Sequence, residues 1–250
     1  MKSFRLAFKR LSTGVVLLQW FGNLAATLLA FLWLQIPDSH AWEFMFSILS
    51  AGLLVFAFLG LHAHTFRLLL PQDESASLWP RLFLLLLVII LGFFIFQGID
   101  VGRHHEPLFA GYWNSRFSAG MRSFFTYHRL VQWQDYFYDL LQWLFAALLL
   151  PIAFMGALFG MRHRIWRQSG CVYRRIGYWL VVILAGILGE LISSSVVSWT
   201  PGHGTAAEIA SMLLRFGLVY TVDILLWCFV LATIAISADC NRSSEAALIP

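Results

Sequence analysis

An all-α, polytopic membrane helix bundle, with six transmembrane helices and one interfacial amphipathic helix, is the fold the sequence predicts. Two observations carry this. Of 250 residues, 60% are hydrophobic and only 12% charged, where soluble domains carry about a quarter charged residues. The apolar residues also gather into six runs near the length needed to cross a bilayer, about 20 residues each. These runs use up most of the chain and leave no stretch able to build a separate water-soluble core, so residues 1–250 are expected to form a single membrane domain.

The first run, 13–36, follows the basic segment MKSFRLAFKR. It is longer than the 7–15 residues of a signal-peptide core, and no small-x-small cleavage site follows it, so it is read as a span. The second and third runs are 42–61 and 80–99, with Pro37, Pro71 and Pro80 at or beyond their ends. Proline in those places stops a helix without breaking its hydrogen-bond ladder. The fourth, 138–160, contains Pro151 and is expected to kink there. The fifth and sixth are 177–199 and 209–237, with Pro201 between them.

Between spans three and four lies a long connection. From about 107 to 133, Phe109, Trp113, Phe117, Met121 and Phe124 recur every three or four residues, with Ser115, Ser118, Arg122, Thr126 and Arg129 on the opposite stripe. Such a segment is too polar to span. It is expected to lie in the interface, with aromatics in the acyl boundary and arginines toward headgroups.

Lys and Arg set the orientation. Twelve fall at the N-terminus, in the connections after spans two and four and after span six; four fall on the other side, and Arg215 lies within a span. The positive-inside rule then places both termini in the cytoplasm of a plasma membrane, the inner membrane in a bacterial cell. The net charge of +4 and isoelectric point near 9.2 come from short loops flanking spans. They form no extended basic surface, so nucleic acid is not an expected partner. The expected partners are the lipid bilayer and protein subunits or further copies of the chain.

Cys171, Cys228 and Cys240 have neither a CxxC pairing nor zinc spacing with histidine, so no disulfide framework and no structural zinc are implied. His62 and His64 are two apart, on different helical faces, and no histidine lies mid-span, so no haem is expected. The sequence contains no GxSxG, GxxxxGK[ST], HExxH or GxGxxG motif.

Two constellations remain. Glu190, Arg215 and Asp223 lie within spans five and six, where an ionised group costs about 2.5–3.5 kcal/mol and needs a partner. Depth counting suggests that Arg215 reaches Glu190 as an ion pair, and that Asp223 shares a level with Gln19 and Asn23 of span one in a polar pocket able to move a proton. The plainer reading of the same five residues, and the one preferred, is polar glue between helices; a ligand site is the third. Outside the spans, Asp100, His104, His105, Glu106 and His128, with His203 of the last outer loop, carry the residue types of a metal or acid/base site. Adjacent residues on a helix point about 100° apart, so His104 and His105 meet on one ion only from an irregular loop.

Three readings follow. The first is a non-enzymatic membrane component, a small-solute or ion permease or an embedded subunit, using Glu190, Arg215, Asp223, Gln19 and Asn23. The second is a membrane enzyme with the outer His/Glu residues. The third is a scaffold that docks a partner or lipid through the aromatic outer helix.

Overall fold

A computed structural model describes residues 11–37, 39–70, 78–160, 164–198 and 204–246. Among them the elements are α1 (Thr13–Trp33), α2 (Ala41–Leu69), α3 (Leu78–Arg103), α4 (Glu106–Arg116), α5 (Ala119–Phe124), α6 (Tyr127–Phe159), α7 (Arg164–Tyr173), α8 (Ile176–Val197) and α9 (Thr205–Ala246), with no strand. Six of these, α1, α2, α3, α6, α8 and α9, are long and apolar enough to cross a membrane. Each overlaps one of the six predicted runs. The N-terminal basic segment and His203 lie outside the described residues.

Local chemistry sets the helix starts. Ser12 caps α1, its hydroxyl accepting from Val15 N at 3.3 Å. His40 opens α2 with Glu43 as its reciprocal cap, the His40 N–H donating to Glu43 Oε2 at 3.1 Å. Each satisfies a backbone group that a helix end leaves without an internal partner. At the end of α6, Gly160 takes φ +64° and its N–H returns to Gly156 O at 2.8 Å. This is the left-handed conformation that glycine adopts most easily.

Two differences from the sequence expectation have plain causes. The interfacial helix expected over 107–133 is instead α4, α5 and the first turns of α6. Phe117 is extended (φ −71°, ψ 145°) and Ser118 precedes a new helix with an extended backbone (φ −62°, ψ 158°) and no side-chain cap bond; serine is a residue that tolerates such a helix boundary better than a helix interior. Thr126 repeats the break, its hydroxyl accepting from Arg129 N at 3.4 Å. Second, α2 runs eight residues beyond the predicted end at Leu61. His62, His64, Thr65 and Arg67 lower the hydropathy there, yet His62, Thr65 and Phe66 are buried and the helix continues.

The short helix α7, between spans four and five, is an element that hydropathy alone does not announce. Ile165, Gln168, Ser169 and Val172 are buried and Trp166 is exposed, an i, i+3, i+4, i+7 stripe that packs on α8 and α9. Ser169 Oγ donates to Pro151 O at 3.4 Å.

The chain divides into two compact units, Met1–Leu85 with Pro151–Pro250, and Leu86–Leu150. In the first, α1 packs on α2, α8 packs on α9, and α9 also packs on α1, α2 and α7. Its core lies at the arginine-rich end, where Phe66, Phe154, Met155, Leu158, Tyr178 and Leu231 are fully buried. Toward the other end the same helices expose Phe21, Phe31, Phe44, Phe46 and Leu191, the expected surface of helices that face lipid. Glycine permits a close helix contact: a Cβ on Gly22 of α1 would meet Leu61 Cδ1 of α2 at 2.6 Å.

In the second unit, the last turns of α3 and the early turns of α6 approach closely. A Cβ on Gly102 would lie 3.1 Å from Tyr138 Cε1.

Candidate functional sites

The five intramembrane polar residues fall into three separate places, all in the first unit. Gln19 is fully buried between α1 and α2. Its Nε2 donates to Thr65 Oγ1 at 2.5 Å, and Asn23 Nδ2 donates to Gln19 Oε1 at 2.9 Å and to Gln19 O at 2.8 Å. Thr65 passes its own proton to Leu61 O at 2.9 Å. The amide and hydroxyl groups are thus engaged with one another. A double-mutant cycle of Gln19→Leu and Thr65→Val should give a coupling of about 0.6 kcal/mol, and at most about 1.7, the range of hydrogen bonds between membrane helices. The readout is the unfolding midpoint in detergent.

Asp223 does not join this pair. The residues that tie α1 to α9 are Trp20, whose Nε1 donates to Thr221 Oγ1 at 3.1 Å, and Tyr220, whose hydroxyl donates to Trp20 O at 2.6 Å. Thr221 and Asp223 are two residues apart, about 200° around the helix, so the face that meets α1 turns Asp223 away from it. Asp223 lies instead against α8: a Cβ on Gly189 would stand 3.7 Å from Asp223 Oδ1. Glu190 follows Gly189 directly, and both carboxylates are exposed on the outside of the α8–α9 hairpin at one level.

The expected ion pair of Glu190 with Arg215 is also not made. Arg215 Nη1 donates to Val197 O at 3.1 Å and its Nε to Ser211 O at 3.3 Å. Val197 is the last residue of α8, seven residues, or about 10 Å, beyond Glu190. The guanidinium has turned toward the end of the span, where the last carbonyls of a helix lack internal donors and carry partial negative charge. Long cationic side chains reach for the membrane boundary in the same way.

In the second unit, Glu106 alone of the candidate residues outside the spans faces a residue of the opposite sign among the described contacts. Arg103, at the end of α3, is bonded through Nη2 to Asp139 Oδ1 and donates to Asp135 O at 3.3 Å. Its Nε lies 3.7 Å from both Asp135 Oδ1 and Glu106 Oε1. One guanidinium therefore faces three carboxylates. Glu106 is buried, at 4% exposure. Burial, then the hydrogen bond and charge of Asp135, push its carboxyl above the usual carboxylate range, while Arg103 pulls the other way.

His104 Nδ1 lies 2.8 Å from Asp100 O and 3.8 Å from Asp100 Oδ2. His105 opens α4, and His128 stacks edge-on against Tyr127 at 5.7 Å. Among the described residues no group of three or more His, Cys, Asp or Glu is placed to hold a metal ion. Asp135 and Asp139 were legible as a pair four apart on one helix face, but only folding brings Arg103 between them.

Along α4, Leu108, Phe109, Tyr112 and Trp113 are exposed and with His105 line a shallow apolar groove.

These features define the class: an integral membrane protein whose six long apolar helices contact lipid. Compared with known protein families, with curated proteins and with solved structures, the chain matches none.

Proposed function

We propose that this chain is a non-enzymatic, membrane-embedded subunit of a larger assembly, seated against a partner helix along the outer face of α8 and α9. Both termini lie on the cytoplasmic side. The single observation that carries the reading is the pair Glu190 and Asp223, two carboxylates at one level of the spans, exposed on the outside of the hairpin. Left in hydrocarbon as ions they would cost about 2.5–3.5 kcal/mol each. A partner helix bearing Arg, Lys or amide donors at that depth removes the cost and fixes which helix docks there. A permeation path through the bundle interior has less support, because Gln19, Asn23 and Thr65 spend their hydrogen-bonding groups on each other.

The test is gentle extraction from native membranes followed by sizing of the complex. The unaltered chain is expected to migrate in a defined complex, and Glu190→Gln combined with Asp223→Asn to shift it to the free form. The purified variant should keep its unfolding midpoint. A chain that is monomeric in native extracts, or a complex indifferent to the double substitution, would refute the reading.

A further inference from the structure

A cavity of about 260 Å³ opens at the arginine-rich end of the first unit, between the start of α8 and the end of α9, lined by Arg175, Ile176, Gly177, Tyr178, Thr233 and Ser237, with Ile236. That is far more than the ~30 Å³ a water molecule occupies in the liquid. Among the described residues no acidic side chain lines it.

Its polar lining comes from Arg175, the first turn of α8 and the hydroxyl residues Thr233 and Ser237. Arg175 is the residue that precedes α8, and its side chain makes no cap hydrogen bond. Among the described residues its guanidinium has no ion-pair or hydrogen-bond partner. Ile176 and Gly177 begin a helix of 22 residues, and the first N–H groups of a helix have no internal acceptors and carry partial positive charge.

Ser237 supplies an independent sign of a ligand. It is buried at 4% exposure and lines the cavity, and among the described residues its hydroxyl has no partner. Thr233 behaves differently one turn away, giving its proton to Phe229 O at 2.9 Å. The Ser237 hydroxyl borders the cavity and is not sealed off from it. Here it stands beside a free guanidinium and a helix N-terminus.

We infer that this cavity is a phosphate-binding site. A phosphate group offers several acceptor oxygens and negative charge to a set made of one guanidinium, backbone N–H groups and one hydroxyl. Its place agrees with that chemistry. Ile176 is the first residue of a membrane-spanning helix, so the cavity sits where phospholipid phosphates lie. The phosphate arrives on an anionic lipid headgroup or as a free phosphate ion, and the residues that hold it are the same.

The test uses the full chain, purified and delipidated in a neutral detergent. Native mass spectrometry reads retention of added phosphatidylglycerol against phosphatidylcholine, and the unfolding midpoint is followed in inorganic phosphate against chloride at equal ionic strength. Preferential retention of phosphatidylglycerol assigns the headgroup; a midpoint raised by inorganic phosphate assigns the free ion. Either supports the site provided that Arg175→Gln weakens binding about tenfold or more, the size of a lost charge-assisted hydrogen bond. Ser237→Ala should weaken it by about fivefold, as for a neutral one. Arg174→Gln, which changes an exposed neighbour outside the cavity lining, should leave binding as it was. Because Ser237→Ala deletes only one hydroxyl, it keeps the experiment decisive if Arg175→Gln folds poorly. The site is overturned if neither phosphate source binds the unaltered chain, or if Arg174→Gln weakens binding as much as Arg175→Gln.

Discussion

Replacing Phe154 with alanine is expected to destabilise the protein by about 3–5 kcal/mol. The ring is completely buried and lies against Phe66 of α2, tilted by 36° with 4.6 Å between centroids. Its neighbours Met155, Ala157 and Leu158 are equally enclosed. The void left by truncation is therefore walled by side chains that have little room to close it, and dispersion contacts are lost on every side. Lipid cannot substitute for them at a site it does not reach. Phe154→Leu, which keeps most of the volume, should cost less than about 1.5 kcal/mol. Thermal or denaturant unfolding in detergent distinguishes the two; equal midpoints for Phe154→Ala and the unaltered chain would mean that the buried end is not the packed core described above.

Arg103→Ala is expected to cost about 2 kcal/mol, between the ~0–1 kcal/mol of an exposed ion pair and the ~3–5 kcal/mol of a broken buried one. The intermediate figure follows from the surroundings. Asp135 and Asp139 keep side-chain exposures of 47% and 53%, whereas Glu106 keeps only 5%. Removing the guanidinium leaves three carboxylates facing one another.

The effect should depend on pH, with a sign that the Glu106 carboxyl fixes. Its folded-state value is raised above the ordinary 4.5, by burial first and by Asp135 second. The folded chain therefore holds this proton more tightly than the unfolded chain does. The resulting stabilisation is complete below about pH 4.5 and is lost as the pH rises through the folded-state value. Arg103→Ala should steepen that loss, since Arg103 opposes the upward shift, and Glu106→Gln should flatten it. Unfolding midpoints followed from pH 4.5 to neutrality give the answer. A midpoint that rises with pH over this window in Arg103→Ala would contradict the arrangement.

Much of this architecture is readable from the chain because the bilayer imposes a simple length rule. A helix that leaves water must run for about 20 apolar residues, and six such runs are visible without any packing information. What the rule does not see are helix ends that remain buried after hydropathy has fallen. His62 and Thr65 look like the exit of span two, but α2 continues through them to Leu69. Nor does it see the extended backbone at Phe117 and Ser118, where the expected interfacial helix is interrupted.

The candidate sites were less legible for a rotational reason. Depth counting put Asp223 near Gln19, and Arg215 within reach of Glu190, but depth says nothing of which face a residue occupies. Thr221 takes the α1 face of α9, so Asp223 is carried round toward Gly189. Arg215 extends along the helix rather than across it, to Val197. Trp20, Tyr220 and Thr221, which join α1 to α9, resemble ordinary span residues until the helices are placed side by side.

The length of α9 has a mechanical consequence. At 42 residues it measures roughly 63 Å, about twice the ~30 Å hydrocarbon layer. It is also in contact with α1, α2, α7 and α8. A stiff rod gripped by four neighbours cannot lean alone. Torque applied near Thr205 would reach Ser237, about 48 Å away, with the surrounding helices turning in step.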